Sequence, residues 1–180
     1  LKYQNIKKEH MNTKATNIKQ RIKPNDVFIT PLDLVKIQID MIDHKEGDRW
    51  FDPFYGTGNY YNSFPTPYKE FCEIAEPYQK DFFTCDEKVD VICSNPPYSM
   101  IDKVLHKSVS LSPRIISYLI GQGNLTARRI EIMNNYGYGL SKLHMTKVFK
   151  WYGMSYIVQF EKGKGNCISF DRSVHRLDED

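Results

Sequence analysis

The sequence is poor in the features that mark exported, membrane-embedded or disulfide-stapled proteins. It has four cysteines in 180 residues and no Cys-x-x-Cys spacing, which argues against a disulfide framework and against a zinc site. We therefore expect free, mostly buried thiols and an intracellular protein, cytoplasmic or nuclear, of cellular or viral origin. No secretory leader and no apolar run of bilayer-spanning length is found, so a soluble protein without a membrane partner is predicted.

The chain also lacks interior linkers, internal repeats and a large net charge. Lys and Arg number 25 against 22 Asp and Glu, a formal net charge of +3. The positive charge is concentrated in residues 1–23, where Glu9 is the single acid. We predict a basic N-terminal arm over residues 1–25 and one domain over residues 26–180. Two interpretations of the arm stay open, a solvated tail or a segment that contacts nucleic-acid phosphates.

Apolar residues at helical spacing alternate with short apolar runs through the middle of the chain. Thr30 suits an N-cap and Pro31 a first helical position, so a helix is predicted from there toward His44. Further helices are predicted at residues 101–109 and 126–135. Strands are predicted at residues 50–51, 69–74, 82–83, 89–93 and 115–120. This alternation is typical of an α/β fold with a mainly parallel sheet covered on both faces.

The last third of the chain has a different pattern, typical of antiparallel pairing. Strands are predicted at residues 142–150, 155–161 and 167–171. Residues 162–166, Lys-Gly-Lys-Gly-Asn, tolerate positive φ and are predicted to join the last two strands as a hairpin. An antiparallel ribbon is therefore expected to close the sheet.

Two short segments carry most of the functional information. Residues 52–58 read Asp-Pro-Phe-Tyr-Gly-Thr-Gly, and residues 94–98 read Ser-Asn-Pro-Pro-Tyr. Each follows a predicted strand, and open α/β sheets bind ligands at the carboxyl ends of their strands. The glycines of the first segment allow a sharp turn and close approach of a nucleotide-like cofactor. The amide, rigid prolines and aromatic ring of the second suit a pocket for a flat polar group.

With these two motifs the chain resembles the S-adenosylmethionine-dependent methyltransferases that modify the N6 amine of adenine in DNA. The resemblance covers most of residues 26–125 and implies a Rossmann-like methyltransferase fold, here with pared-down helices because residues 58–69 and 76–80 are short. S-adenosylmethionine is the implied cofactor, with Asp52 accepting hydrogen bonds from its ammonium group. Further implied contacts to its methionine end come from Pro53, Tyr55, Gly56 and Gly58, and from Thr30 and Pro31. Thr30 and Pro31 also admit a purely capping role.

The resemblance assigns the ribose and adenine of the cofactor to the next two strand ends. Glu73 is the first choice for the ribose hydroxyls, and Glu76 is its rival three residues on. Asp81 and Phe82 match the adenine clamp, an acid that binds the exocyclic amine beside a ring that packs on the base. Alternation also allows Phe82 or Phe83 to belong to the core.

The second motif is expected to carry the chemistry. An adenine amine is a poor nucleophile because its lone pair is delocalised into the ring. The side-chain oxygen of Asn95 and the carbonyl of Pro96 can each accept one N–H and direct the lone pair toward a methyl donor. Pro97 keeps the turn rigid, and Tyr98 is expected to stack on a base flipped out of the duplex.

Several alternatives remain open at this stage. The substrate is expected to be DNA in preference to RNA, and the leading alternatives are an RNA adenine-N6 methyltransferase or a non-catalytic nucleic-acid-binding subunit. Enzymes that methylate glutamine in release factors share the Asn-Pro-Pro-Tyr type but usually lack the Asp-Pro start. No segment is long enough for a target-recognition domain. A partner subunit or homo-oligomer, the basic arm, or the loops around Arg128 and residues 162–164 are therefore expected to supply recognition.

Overall fold

The computed structural model describes residues 28–148 and 153–173, and within them the chain forms one six-stranded sheet with four α-helices. The basic arm predicted at residues 1–25 lies outside the described residues. The helices are α1 (Leu32–Asp40), α2 (Asn59–Ser63), α3 (Ile101–Ser110) and α4 (Ala127–Asn135). The strands are β1 (Trp50–Asp52), β2 (Lys69–Phe71), β3 (Val91–Ser94), β4 (Ile115–Gly121), β5 (Tyr138–Thr146) and β6 (Ser155–Lys162).

The strands follow the order β2-β1-β3-β4-β6-β5 across the sheet. The first four are parallel, β6 runs antiparallel to β4, and β5 pairs antiparallel with β6 at the edge. The prediction of a mainly parallel sheet closed by an antiparallel ribbon is thus confirmed. This order brings the ends of β1 and β3 side by side, although some forty residues of sequence separate them.

Both faces of the sheet are covered, as predicted. Alternate residues of a strand point to opposite faces, so Trp50 packs with α1 and α2 whereas Phe51 packs toward the face that α3 covers. Helix α1 buries Leu34, Val35 and Ile39 at helical spacing. Within the described residues no helix is long and apolar enough to cross a membrane.

The predicted capping of the first helix is wrong in detail. The helix begins at Leu32 with Pro31 as the N-cap residue, and no side chain caps it. The Thr30 hydroxyl instead accepts a hydrogen bond from Asn95. In contrast, a side chain caps α4, the helix predicted over residues 126–135: Thr126 accepts from the Arg129 N–H.

The strand predicted at residues 82–83 is a short 3-10 helix, Phe82–Thr84. Asp81 accepts a hydrogen bond from the Phe83 N–H and so bends the chain instead of letting it extend. The buried Phe82 ring satisfies the apolar pattern without a strand, because it packs between Phe51 and Phe54.

The hairpin predicted around residues 162–166 is also wrong, because the partner of β6 is β5 and residues 167–171 form no strand. After β6 the chain folds back along the outer edge of β5, where the Cys167 N–H donates to the Leu140 carbonyl at 2.7 Å. Gly139 permits this close return, since a Cβ at that position would collide with the Lys164 carbonyl.

Candidate functional site

Asp52, the last residue of β1, lies at the centre of the candidate site. Its side chain is fully buried, and its Oδ1 accepts hydrogen bonds from the Ser94 hydroxyl at 2.6 Å and from the Phe54 N–H at 3.2 Å. Its Oδ2 is buried without a partner among the described residues. Ser94 ends β3, so this hydrogen bond joins the two sequence motifs.

Burial raises the pKa of Asp52 to about 7, and the hydrogen bonds from Ser94 and Phe54, together with the nearby main-chain N–H of Tyr61, offset only part of that effect. The nearby Glu73 carboxylate also raises the pKa of Asp52. A buried carboxylate with one unpartnered oxygen is costly unless a ligand brings a positive charge or an N–H donor to it. The geometry is therefore that of a binding residue that lacks its ligand partner.

The turn after Asp52 depends on its two glycines. Gly56 has φ +54° and Gly58 has φ +81°. A Cβ on Gly58 would lie 2.7 Å from the Tyr55 ring, because that ring folds beneath the turn onto Phe71 with ring centroids 4.3 Å apart. Pro53 is buried directly after Asp52. The turn leaves the Gly56 backbone exposed at the site.

Replacing Gly58 with alanine should destabilise the protein clearly more than replacing Gly47. Gly47 has a similar φ of +84° but open space around its Cβ position, so its substitution measures the cost of positive φ alone, about 1 kcal/mol. Gly58 adds the collision with Tyr55, which we expect to cost a further 1–3 kcal/mol. Urea unfolding of both variants measures the difference, and equal losses would show that the Tyr55 ring does not hold the turn.

Glu73 lies beside this turn. Its Oε2 accepts from the Gly56 N–H at 2.9 Å and its Oε1 accepts from the Ala75 N–H at 2.9 Å. Glu76, the rival for a ribose contact, is exposed and bonds the Gln79 amide. Of the two acids, Glu73 is therefore the one in direct contact with the 52–58 segment.

The segment around Asp81 packs against the same end of the sheet. Phe82 is 2% exposed and belongs to the core, whereas the neighbouring Phe83 ring is only partly buried. Cys72 and Cys85 are both buried in the same core cluster as Phe82, where this segment packs against the strand end that leads to Glu73. Phe83, not Phe82, thus keeps the exposed ring surface.

Asn95 follows β3 and faces the start of α1. Its Nδ2 donates to the Thr30 hydroxyl at 3.2 Å, while its Oδ1 is buried without a partner among the described residues. Pro96 is buried, Pro97 is exposed, and Tyr98 begins a short 3-10 helix (Tyr98–Met100) with its ring partly buried against the core.

Thr30 and Pro31 differ in their surroundings. Thr30 is 3% exposed, and its carbonyl accepts from the Asn59 side chain at 2.8 Å, so it ties α2 to the start of α1. Pro31 is exposed. Thr30 therefore lies behind Asn95, whereas Pro31 borders solvent.

Sequence reasoning missed four polar residues that support these groups. They are Gln38, Asn59, Tyr60 and Ser94. Asn59 directly follows the first motif, and Ser94 is the first residue of the 94–98 segment, where no role was predicted for it. Gln38 is the polar residue on the buried side of α1, a pattern that could have marked it. Within the described residues no group of three or more His, Cys, Asp or Glu side chains could hold a metal ion.

Together the site presents two buried acceptor oxygens, Asp52 Oδ2 and Asn95 Oδ1, on strands that are neighbours in the sheet. Glu73 and the glycine turn lie beside the first oxygen, and Tyr98 follows the second. Such an arrangement can bind a cationic group and an amine close together.

Solved structures similar to this chain include methyltransferases. Magnesium protoporphyrin IX methyltransferase from Synechocystis PCC 6803, solved with bound SAM, aligns with a TM-score of 0.57 and 13% identity over 88% of this chain and 96% of that chain. Precorrin-6y C5,15-methyltransferase from Geobacter metallireducens GS-15 aligns with a TM-score of 0.54 and 10% identity, covering 79% of this chain and 95% of its own. No family model and no curated protein sequence matches.

A further similar structure is a type I restriction-enzyme modification subunit from Vibrio vulnificus YJ016. It has a TM-score of 0.57 and 13% identity, and the alignment covers 87% of this chain but 49% of that subunit. These similarities establish that the chain has the methyltransferase fold, which confirms the fold predicted from the two motifs.

Proposed function

We propose that this protein uses S-adenosylmethionine to methylate the N6 amine of adenine in DNA. The observation that carries the proposal is the pair of buried, unpartnered oxygens, Asp52 Oδ2 and Asn95 Oδ1, at the ends of adjacent strands in a methyltransferase fold. One oxygen suits the cofactor ammonium group and the other suits the amine that receives the methyl group.

The residues around Asp52 fit the cofactor. Asp52 Oδ2 would accept from the ammonium group, and the exposed Gly56 backbone permits close approach of the methionine end. Glu73 would exchange its bond to the Gly56 N–H for the ribose hydroxyls. Asp81 and the partly exposed Phe83 ring would hold the adenine of the cofactor, with Phe82 supporting that ring from the core. The bound cofactor would supply an electrophilic methyl group on its sulfonium.

The residues around Asn95 fit a planar amine. Asn95 Oδ1 would accept one N–H of the substrate, and the Pro96 carbonyl would accept the other, which directs the nitrogen lone pair out of the ring plane. Tyr98 would stack on the base and hold it in this orientation. Positioning of this kind can contribute about 7 kcal/mol or more to the rate without a covalent enzyme intermediate.

A nucleic acid is the substrate class that suits this site. Asn-Pro-Pro-Tyr after β3 presents an amide acceptor and an aromatic face together, which a flipped nucleobase requires. The chain shares its fold with a modification subunit of a type I restriction enzyme, of which it spans about half, and we infer that DNA is the substrate and that a partner chain or second copy supplies recognition. The Lys and Arg of residues 1–23 suit contact with phosphates.

Calorimetry with S-adenosylmethionine, followed by transfer from methyl-labelled cofactor, tests the proposal. We expect micromolar cofactor binding and label on adenine N6 in AT-rich duplex DNA. Parallel reactions with single-stranded RNA and with DNA containing N6-methyladenine at every adenine serve as controls. Absence of cofactor binding would contradict the cofactor assignment. Label on RNA alone, or on fully N6-methylated DNA, would contradict the DNA adenine assignment.

A further inference from the structure

The side chain of Asn95 is the outer end of a row of buried polar groups that leads into the interior. We propose that Thr30, Tyr60 and Gln38 are positioning residues that fix the orientation of the Asn95 amide, so that Oδ1 and not Nδ2 faces the substrate. The directions of the hydrogen bonds along this row fix the orientation. Its catalytic consequence rests on the proposed function.

The fixed end of the row is Gln38, which is fully buried on α1. Its Nε2 donates to the main-chain carbonyls of Ser117 at 3.0 Å and Ser94 at 3.3 Å, and to the Ser117 hydroxyl at 3.2 Å. Carbonyl oxygens can only accept, so the Gln38 amide has one permitted orientation. Its Oε1 must therefore point away from the strands, toward α2.

The next group is the phenol of Tyr60 on α2. Its Oη donates to Gln38 Oε1 at 2.7 Å, which uses its single hydrogen. Toward Thr30 the phenol can then only accept. Thr30 lies in hydrogen-bond contact with the phenol oxygen, and it is the donor in that contact because the phenol hydrogen is already used.

Thr30 links Tyr60 to Asn95. Because the Thr30 hydrogen is given to Tyr60, Oγ1 can only accept, and Asn95 Nδ2 supplies that hydrogen bond at 3.2 Å. Asn95 Oδ1 is left buried and unpartnered on the other side of the amide. A flipped amide would set Oδ1 against the Thr30 oxygen, so that two acceptors would face each other, and it would present the Nδ2 donor to the substrate amine, which is itself a donor.

A purely structural role for these side chains predicts a different result from an orienting role. Loss of packing or of one buried hydrogen bond lowers stability wherever it occurs. Loss of the amide orientation, in contrast, affects specifically the contact that Asn95 makes with the substrate. Tyr138 provides the matched comparison, since it is buried as Tyr60 is and donates its phenol hydrogen to the Pro113 carbonyl, at the opposite edge of the sheet.

The kinetic test compares Tyr60→Phe with Tyr138→Phe in single-turnover methyl transfer. We expect Tyr60→Phe to slow transfer about tenfold, the effect of one misplaced hydrogen bond, with cofactor affinity unchanged within about twofold. Tyr138→Phe should change neither quantity. In an Asn95→Ala background the effect of Tyr60→Phe should vanish, because the group that it orients is gone. An unchanged rate in Tyr60→Phe, or equal slowing in both backgrounds, would overturn the proposal.

A second test needs no activity and therefore separates this inference from the proposed function. The side-chain amide signals of Asn95, assigned by their loss in Asn95→Asp, should show one slowly exchanging proton in the cofactor-free protein by NMR. Thr30→Val should abolish that protection, and Thr30→Ser, which keeps the hydroxyl, should retain it. These variants also decide the matter if Tyr60→Phe does not fold. Rapid exchange of both protons in the wild type, or protection retained in Thr30→Val, would overturn the orienting role even in an active enzyme.

Discussion

Replacement of Asn95 by alanine should slow single-turnover methyl transfer by at least about a hundredfold. Its Oδ1 is buried without a partner, so the contact it makes to an amine is formed only with substrate and is strongest when the nitrogen becomes tetrahedral. Cofactor affinity should remain within about twofold, since the hydrogen bond of Asn95 goes to Thr30 and not to the Asp52 side. Rapid quench with labelled cofactor and calorimetry measure the two quantities.

Asn166→Ala is the matched control for this change. The side-chain oxygen of Asn166 accepts a hydrogen bond from the Leu140 N–H. Asn166 lies near the amino-terminal end of β5, away from the carboxyl ends of β1 and β3. Its loss should affect stability and not transfer. Transfer at the wild-type rate by Asn95→Ala would refute the amine-positioning role.

Replacement of Asp52 by asparagine should weaken S-adenosylmethionine binding by about a hundredfold or more and yet stabilise the unliganded protein at pH 8. Loss of one charge from a buried, hydrogen-bonded pair costs on the order of 2–5 kcal/mol of binding. Asparagine keeps an oxygen for the Ser94 hydroxyl at the position of Oδ1. It removes the negative charge whose burial is unfavourable in the absence of a ligand.

The pH dependence follows from the sign of the shift. Folding raises the pKa of Asp52 from 3.8 to about 7, so the folded state binds a proton more tightly than the unfolded state does. The stabilisation from this proton is complete below about pH 4 and is lost as the pH rises through about 7. The difference of about three pK units corresponds to a loss on the order of 4 kcal/mol. Wild-type affinity for the cofactor should fall about tenfold per pH unit below 7, because the ammonium group requires the carboxylate.

Urea unfolding at pH 5 and pH 8 measures this effect in wild type and Asp52→Asn. The variant should be the more stable protein at pH 8, and the difference should narrow at pH 5. Asp102→Asn is the control of opposite sign, because its hydrogen bond from Arg129 lowers the pKa of Asp102 and its loss should destabilise at both pH values. An Asp52→Asn variant that binds cofactor as wild type does would remove the basis for the ammonium contact.

Local sequence patterns were enough to predict the parallel part of the sheet. Continuous apolar runs before Asp52 and Ser94 require strands buried on both faces, and strands of that kind are paired in parallel between helices. Glycine at residues 56 and 58 was necessary for a turn with positive φ. These features depend on residues within a few positions of one another.

Where a sequence pattern is compatible with two structures, tertiary packing selects one of them. The apolar pair Phe82-Phe83 suits a strand or a short 3-10 helix, and contact of Phe82 with Phe51 and Phe54 selects the second. Residues 167–171 have strand character, but β5 already occupies the free edge of β6. Which strand pairs with β6 is a competition between segments distant in sequence, and no local pattern reports its outcome.

The sequence by itself determined which chemical groups stand at the ends of β1 and β3, because those residues are read directly from the two motifs. Only the tertiary structure decided how these groups are protonated and hydrogen-bonded. Burial brings the Asp52 carboxyl to a pKa of about 7, and a hydrogen bond between residues 65 positions apart joins Asn95 to Thr30. Solvation and hydrogen-bond direction depend on every neighbour in space, whereas a motif records only neighbours in the chain.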